Sequence, residues 1–505
     1  MAGGELPEHS RSRDAQSMQC FRGFFPDVNM PPDLNFLRFL TISLPTGIED
    51  PFLAPLFRPL TSKKLQSHFV DHTGKKDLFS IPKKMNLYIH VPFCGTICSF
   101  CHCHHWEVKD QHTLRTYVDF ILGQISEFSG PFDKTEFGSF TVLGGTASLL
   151  SAAEIRTVYE AVCDKFHFHP QARFNFEGHP SSLSVDKLDI LKGYGVKKIH
   201  LGVQSLDEGV LKKINRFQTR EGVERCIKNI KERGFTCVNA DMVPGLPGQT
   251  TAGFLEDIRA LAGWGVDLFN INPFSDITSM NCSKDVSESL QAVLSRRNEM
   301  ILQTKTALED LGYANKGQQG YCKGAKGQSL KLETDSFPGG VLGLGMLAKS
   351  NLPGELVFMN LPKGRDSSDV RYVGYPIDKH YSMAQYVSLH LLYGLETKEF
   401  HRVFGEEFDA VFGKEIKDLA AQGIISRNDR TYCFSGARNL KDLFEYCAYT
   451  KVLLGENLIQ ELRMHYNAEY DPNRKYGSKE DLLKVFQDFE FAREYYQLGK
   501  KTLWL

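Results

Sequence analysis

The chain has 505 residues, with 60 Lys plus Arg against 61 Asp plus Glu and a formal charge of -1. That balance excludes a surface that holds polyphosphate through its overall field, so nucleic acid is not expected as a partner. With 42% hydrophobic and 24% charged residues and 43 glycines, the composition is that of an ordinary globular protein of two or three domains, which excludes disordered and collagen-like classes.

Residues 1 to 85 read as an N-terminal extension. Met1 to Ser17 mixes Glu5, Glu8, Arg11, Arg13 and Asp14 with no apolar core, unlike a secretory signal or an acid-free transit peptide. The best early apolar run, Phe36 to Pro45, is interrupted by Arg38 and stops short of the roughly 18 to 20 residues a membrane helix needs. A soluble, cytoplasmic protein without a membrane span is expected.

From 86 to 312 short β-branched or apolar runs alternate with amphipathic stretches. Strands are expected over Asn86 to Val91, Ser139 to Leu143, Arg173 to Glu177, Lys198 to Gln204, Cys237 to Val243 and Asp267 to Asn272. Helices are expected over Leu114 to Phe128, Ala153 to Phe166, Ser184 to Gly193, Glu208 to Ile214, Glu221 to Arg233 and Thr251 to Trp264. Six strand-helix units in series imply an α/β fold with a parallel sheet. Right-handed crossovers curl such a sheet into an open or closed TIM-like (β/α)6 barrel whose ligands sit at the carboxyl ends of the strands.

The unusual residues fall at those ends. Cys94, Cys98, Cys101 and Cys103 follow the first strand, Gly144 and Gly145 the second, Glu177 closes the third and Gln204 the fourth. The fifth carries Asp241 and then Gly245-Leu246-Pro247-Gly248, and the sixth ends in Asn270 and Asn272.

Past Tyr313 the periodicity loosens. Residues 313 to 383, rich in glycine (Gly317, Gly320, Gly324, Gly327, Gly339, Gly340, Gly343, Gly345), read as an irregular substrate-side region at the barrel mouth. Residues 384 to 460 read as a smaller, mostly helical, winged-helix-like C-terminal domain. Its helices are expected near 397 to 404, 406 to 422 and 438 to 454, with a strand pair broken at Arg427-Asn428-Asp429. Residues 461 to 505 form a helical tail, in which Leu482, Val485, Phe486 and Phe489 recur at helical spacing behind Ser478.

Of the 12 cysteines, four crowd into residues 94 to 103 and eight are scattered, at 20, 163, 226, 237, 282, 322, 433 and 447. A disulfide framework does not space its cysteines this way, and a tight cluster in a large enzyme of a reducing compartment points to metal. The scattered eight read as small packing residues. Three thiolates spaced C-x-x-x-C-x-x-C can hold three irons of a cubane [4Fe-4S] cluster and leave the fourth open to an outside ligand. Structural zinc is the competing reading, with His102, His104 and His105 as further ligands.

The run Tyr88-Ile89-His90-Val91-Pro92-Phe93-Cys94, continued by Cys98 and Cys101, resembles the radical S-adenosylmethionine (SAM) superfamily, in the branch typified by oxygen-independent coproporphyrinogen III oxidase. Gly144-Gly145-Thr146, Gly202-Val203-Gln204-Ser205 with Asn215-Arg216, and Asp241 before Gly245-Leu246-Pro247-Gly248-Gln249-Thr250 extend the resemblance through the barrel to about residue 275, and more weakly to about 455. It implies a radical SAM barrel with a [4Fe-4S] cluster on Cys94, Cys98 and Cys101. SAM would lie against Gly144, Gly145, Thr146 and Gln204, its ammonium on Glu177 and its carboxylate on Arg216. Asp241 would take the ribose hydroxyls, and Tyr88 and Val243 would flank the sulfonium or adenine. Singly, Glu177, Arg216 and Asp241 read as ordinary salt bridges. The implied chemistry is one-electron cleavage of SAM to a 5'-deoxyadenosyl radical that abstracts hydrogen from substrate, fed by a flavodoxin or ferredoxin-type donor.

Departures from the family pattern bear on the substrate. The family's Gly-Gly-Gly-Thr-Pro is here Leu143-Gly144-Gly145-Thr146-Ala147, its Tyr before Gly-Leu-Pro is Pro244, and the Tyr-Thr-Ser-Tyr-Pro of coproporphyrinogen oxidases is missing from residues 1 to 85. Cys103, by contrast, resembles the oxidase. The favoured expectation is therefore a transferase, of the C-methylating or cyclopropanating kind or tetrapyrrole-modifying. Its methyltransferase relatives imply a second SAM in each chain, and Gly343-Leu344-Gly345-Met346-Leu347-Ala348 resembles their haem-opening group. The alternatives are a coproporphyrinogen oxidase-like oxidoreductase and a non-catalytic haem chaperone. The substrate is accordingly a tetrapyrrole or a natural-product scaffold.

Overall fold

A computed structural model of the chain describes residues 70–71, 82–101, 106–272, 290–315, 320–323, 340–353, 355–362, 370–376, 379–421, 423, 425–428 and 431–435. The N-terminal extension other than Val70–Asp71 and 82–85, the helix expected near 438 to 454 and the C-terminal tail lie outside the described residues.

All six expected strands are present, each followed by its helix: β1 Lys84–Val91, α1 Gln111–Ser129, β2 Glu136–Gly144, α2 Ala152–Lys165, β3 His167–Gly178, α3 Val185–Gly193, β4 Val196–Gln204, α4 Glu208–Lys213 with α5 Arg220–Glu232, β5 Cys237–Met242, α6 Thr251–Gly263 and β6 Leu268–Ile271. The fifth and sixth strands stop short of the expected Val243 and Asn272. The helices start where side-chain oxygens cap their first turns. Ser151 accepts from the Glu154 N–H while Glu154 accepts from the Ser151 N–H, and Asp110, Asp207, Thr219 and Thr250 cap α1, α4, α5 and α6. Pairing β1-β2-β3-β4-β5-β6 is parallel throughout.

The parallel sheet does not end at these six. Helix α7 (Leu290–Asp310) leads to β7 (Tyr313–Asn315) and β8 (Gly320–Lys323), and β8 pairs antiparallel with β6. On the other flank β9 (Val341–Leu344) adds in parallel to β1, followed by antiparallel β10 (Lys349–Leu352), β11 (Leu356–Pro362) and β12 (Val370–Pro376). Val70–Asp71 pairs at the far edge, making a sheet of 13 strands among the described residues. The region expected to be irregular is thus, where described, largely strand. Four of these strands, β7 to β10, have only three or four residues, too few to show alternation in sequence, and β8 and β9 take their structure from pairing with β6 and β1.

Helices cover one face of the sheet. Ile199, Leu201 and Val203 of β4 lie in the core beneath them, so Lys198, His200 and Gly202 face the lumen. The lumen-facing positions are polar. Ser139 donates to Asn86 at 2.7 Å, Asn175 to Thr141 at 3.2 Å, and Asn239 lies 3.0 Å from His200 Nδ1. Asn175 and Asn239 are buried, and their Oδ1 atoms have no hydrogen-bond partner among the described residues. Burial pushes the Lys198 ammonium down to about 8 and holds His200 neutral, well below its ordinary value, with the Lys198 charge adding to the effect on His200.

Beyond the sheet, α8 (Lys379–Tyr393), β13 (Leu395–Glu396), α9 (Thr397–Phe404), α10 (Phe408–Ala421), β14 (Ile425–Asn428) and β15 (Thr431–Phe434) form a helical unit with a three-stranded sheet ordered β13-β15-β14. Its core is aromatic: the Phe400 ring stands 5.4 Å from Phe408 and 6.0 Å from Phe412. Of the scattered cysteines, Cys226, Cys237 and Cys322 are buried and Cys433 is half-buried, as packing residues should be. Cys163 corrects that expectation, because it stands exposed on the outer face of α2; Cys20, Cys282 and Cys447 lie outside the described residues.

Candidate active site at the carboxyl rim of the barrel

The cysteine loop is held from two sides. Next to β1, Phe93–Cys94 pairs in parallel with Trp106–Glu107, the Trp106 N–H donating to the Pro92 carbonyl at 2.8 Å and the Val108 N–H to that of Cys94 at 2.9 Å. The distal half is tied to the turn after α4. There the Ser99 N–H donates to the Ile214 carbonyl at 3.0 Å and Asn215 Nδ2 to the Ile97 carbonyl at 2.9 Å. Phe100 packs on Val210, Leu211, Ile214, Val243 and Leu246. Cys94, Cys98 and Cys101 are all half-buried and none is in a disulfide; His102, Cys103, His104 and His105 lie outside the described residues.

Against this loop lies the turn after β2. A Cβ at Gly145 would stand 2.7 Å from the Phe93 carbonyl oxygen and 2.9 Å from Cys94 Sγ, and one at Gly144, whose φ is +136°, would stand 2.6 Å from the Val91 carbonyl oxygen. Only glycine lets the two loops approach so closely. Thr146 Oγ1 then reaches Cys94 Sγ at 3.4 Å, and the Gly144 N–H donates to Glu177 Oε2 at 3.4 Å.

The other predicted residues lie along the same rim. Gln204 ends β4 in the left-handed region at φ 69°, and its carbonyl accepts from the Val243 N–H at 3.1 Å. A non-glycine residue held there costs of order 1–3 kcal/mol and persists only where its surroundings enforce it. Asp241 Oδ1 accepts from Asn239 at 3.0 Å and from Asn270 at 2.9 Å, the pattern of an ionised acceptor. Arg216 is buried, with Nε on Gln218 Oε1 at 3.1 Å, one Nη on the Gly202 carbonyl and the other on Cys98 Sγ at 3.6 Å. Val243 packs into the apolar cluster beneath Phe100. Tyr88 turns toward the added strands, its ring against Gly343 and its hydroxyl accepting from the Lys349 N–H. Burial holds that phenol protonated, far above its ordinary value.

The donor set suits a cationic cofactor. Burial pushes the Cys94 thiol up to about 11, and the neighbouring Cys101 and Cys98 sulfurs add to the shift while Thr146 and Arg216 oppose it. A thiol held up by burial and by neighbouring sulfurs is deprotonated when a metal supplies positive charge beside it. Among the described residues no three His, Cys, Asp or Glu side chains converge on a point as a single-ion site requires; cysteines that each bind a different iron need no such convergence.

Residues 88–261 match the family model of the radical SAM superfamily. The segment is a radical SAM domain. Among curated proteins the chain is similar to the oxygen-independent coproporphyrinogen III oxidase of Salmonella typhimurium, at 24% identity over 50% of this chain and 56% of that protein. It is also similar to the heme chaperone HemW of Lactococcus lactis, at 30% identity over 35% of this chain and 46% of that one. The chain thus spans about half the length of the curated relatives it matches. The solved coproporphyrinogen III oxidase (HemN) of Escherichia coli superposes with a TM-score of 0.60 at 20% identity, covering 78% of this chain and 93% of that one, so the two share a fold. Residues 88–261 thus match a superfamily for which a [4Fe-4S] cluster and SAM are the cofactors, and the chain is similar to proteins of its oxygen-independent coproporphyrinogen III oxidase-like branch.

Knowing the radical SAM pattern does not reveal every residue of the rim. Gln218, which orients Arg216, donates to the Val203 and Ser205 carbonyls at 2.7 and 3.2 Å and carries no motif. Lys349, whose ammonium burial drives down to about 7, enters through β10, where sequence suggested irregular chain. Lys198 and His200 did leave a signal, namely polar residues at alternate positions of a strand whose other side is apolar.

Proposed function

We propose that the protein is a radical SAM oxidoreductase acting on a tetrapyrrole, similar in reaction class to oxygen-independent coproporphyrinogen III oxidase, with a flavodoxin or ferredoxin-type donor. The observation that carries this is the buried Arg216, which no carboxylate pairs with among the described residues and which stands between the cysteine loop and the rim. A buried guanidinium stays charged and requires an anion. Three of its five N–H groups are used, which leaves one on each terminal nitrogen, a bidentate pair for the SAM carboxylate.

When bound, the cluster and SAM supply one-electron reductive cleavage of the sulfonium. The chain's own residues bind and orient. Cys94, Cys98 and Cys101 hold three irons, Gly144 and Gly145 admit the methionyl part of SAM, Glu177 accepts from its ammonium, and Asp241 takes the ribose hydroxyls. Gln204 fixes the turn beside them. Thr146 holds the Cys94 sulfur, Val243 supports the loop from beneath Phe100, and Tyr88 braces β1 against the added strands. A polar lumen of Asn175, His200 and Asn239 gives a polar substrate partners beneath the rim.

Similarity to coproporphyrinogen III oxidases favours oxidation over the methyl-transfer reaction expected from sequence. The decisive experiment is anaerobic incubation with reductant, coproporphyrinogen III and deuteromethyl-SAM, read by mass spectrometry. Decarboxylated, unlabelled product with methionine and 5'-deoxyadenosine is expected. Deuterium in the product with S-adenosylhomocysteine would overturn the proposal in favour of a methyltransferase. The match to HemW supports a second reading, a heme chaperone, which predicts tight haem binding and no turnover.

A further inference from the structure

We propose that Arg216 acts on the cluster itself, as a fixed positive charge hydrogen-bonded to the Cys98 ligand that makes the cluster easier to reduce. This rests on the reading of Cys94, Cys98 and Cys101 as cluster ligands and goes beyond the pairing of Arg216 with SAM.

The argument starts from the backbone. Asn215 adopts a left-handed conformation at φ 56°, and the Arg216 N–H donates back to the Leu211 carbonyl at 3.0 Å, so the chain reverses at the end of α4 and drives the Arg216 side chain inward. Asn215 itself binds the Ile97 carbonyl, one residue before Cys98, so the residue that aims the arginine also fixes the ligand it aims at. The guanidinium is then held on three sides: Nε on Gln218, one Nη on the Gly202 carbonyl, the other on Cys98 Sγ at 3.6 Å. Gln218 has no freedom to flip, because its amide nitrogen is spent on the Val203 and Ser205 carbonyls, which leaves Oε1 for Arg216.

A positive charge and an N–H donor on a ligand sulfur favour the more negative, reduced state of the cluster, and hydrogen bonds to the sulfurs and local charge are among the factors that set cluster potentials. With no carboxylate to neutralise the guanidinium among the described residues, its full charge acts on the cysteine loop.

The test is an electron-paramagnetic-resonance redox titration of the reconstituted cluster in the full chain, without SAM, so that a role in SAM binding cannot contribute. In Arg216→Gln the reduced-to-oxidised ratio at fixed potential should fall about tenfold, a shift of about 59 mV to more negative potential for one electron. Arg216→Lys should recover part of it, and Gln218→Ala, which leaves the arginine but releases Nε, should fall between. An unchanged potential in Arg216→Gln with wild-type iron content would overturn the proposal. Should Arg216→Gln fail to take iron, Gln218→Ala decides, a negative shift supporting the proposal and none overturning it. If the wild-type chain itself takes no [4Fe-4S] cluster, it is the cofactor assignment that fails.

Discussion

At the rim of the barrel the residues that matter stand where the backbone is bent. Gly144 and Gly145 press one loop onto another, Gln204 and Asn215 adopt left-handed conformations, and the side chains between them find partners at 2.7 to 3.6 Å. One layer down, on the same strands, the backbone is regular and the polarity lies in side chains: Asn175, Lys198, His200 and Asn239 on strands whose other face is apolar. The rim spends backbone freedom to fix positions for a cofactor. The lumen keeps ordinary strand geometry and accepts buried polar groups, two of them with an unpaired oxygen. Geometry is what a cofactor of fixed shape demands, whereas the lumen places buried polar side chains where packed aliphatic layers would otherwise stand.

The comparison breaks if the rim tolerates change. Cys98→Ala should abolish cluster iron and 5'-deoxyadenosine formation, measured by iron analysis and chromatography under anaerobic reductant; wild-type yield of either would remove the cysteines from the site. Gly145→Ala should come next, because the added carbon has only the Phe93 backbone and Cys94 Sγ to displace. Cluster occupancy should drop several-fold, while Gly123→Ala in α1, which meets nothing within 4 Å, should stabilise the fold by about 0.5–1 kcal/mol.

Lys198→Met sharpens the lumen side. The folded-state pKa of Lys198, about 8, lies below the unfolded value, so between these values the unfolded chain holds more protons and stability rises with pH. Below pH 8 the charged lysine is a net cost, because desolvation outweighs the attraction of Asp241. The methionine variant should therefore gain about 1–3 kcal/mol at neutral pH, with the gain shrinking as pH rises toward 10, and iron content should stay at the wild-type level. A pH-independent gain in denaturant titrations would show that the lysine is not held as described.

Much of this was legible in sequence where signals are local. The β-branched runs of β1 to β6 and the three cysteines at the end of β1 need only spacing and period. Glu177 and Asp241 were legible only as strand-end carboxylates, since nothing in a single residue says what it faces. Gln218 was silent because its task, holding a neighbour's nitrogen against two carbonyls, depends on a turn that closes only in three dimensions. Strand β9 was hidden for a related reason: it is shaped by a partner more than 200 residues away, Asn86 opposite Val341, and β10 to β12 build outward from it by antiparallel pairing.

The tethers of Ser99 to Ile214 and of Asn215 to Ile97 have a consequence for biogenesis. A ribosome that has released residue 101 has delivered all three thiols but nothing that holds their loop on its distal side. Those tethers arrive only with the end of α4, more than a hundred residues later, so iron loading onto an ordered loop waits for two-fifths of the chain to be made.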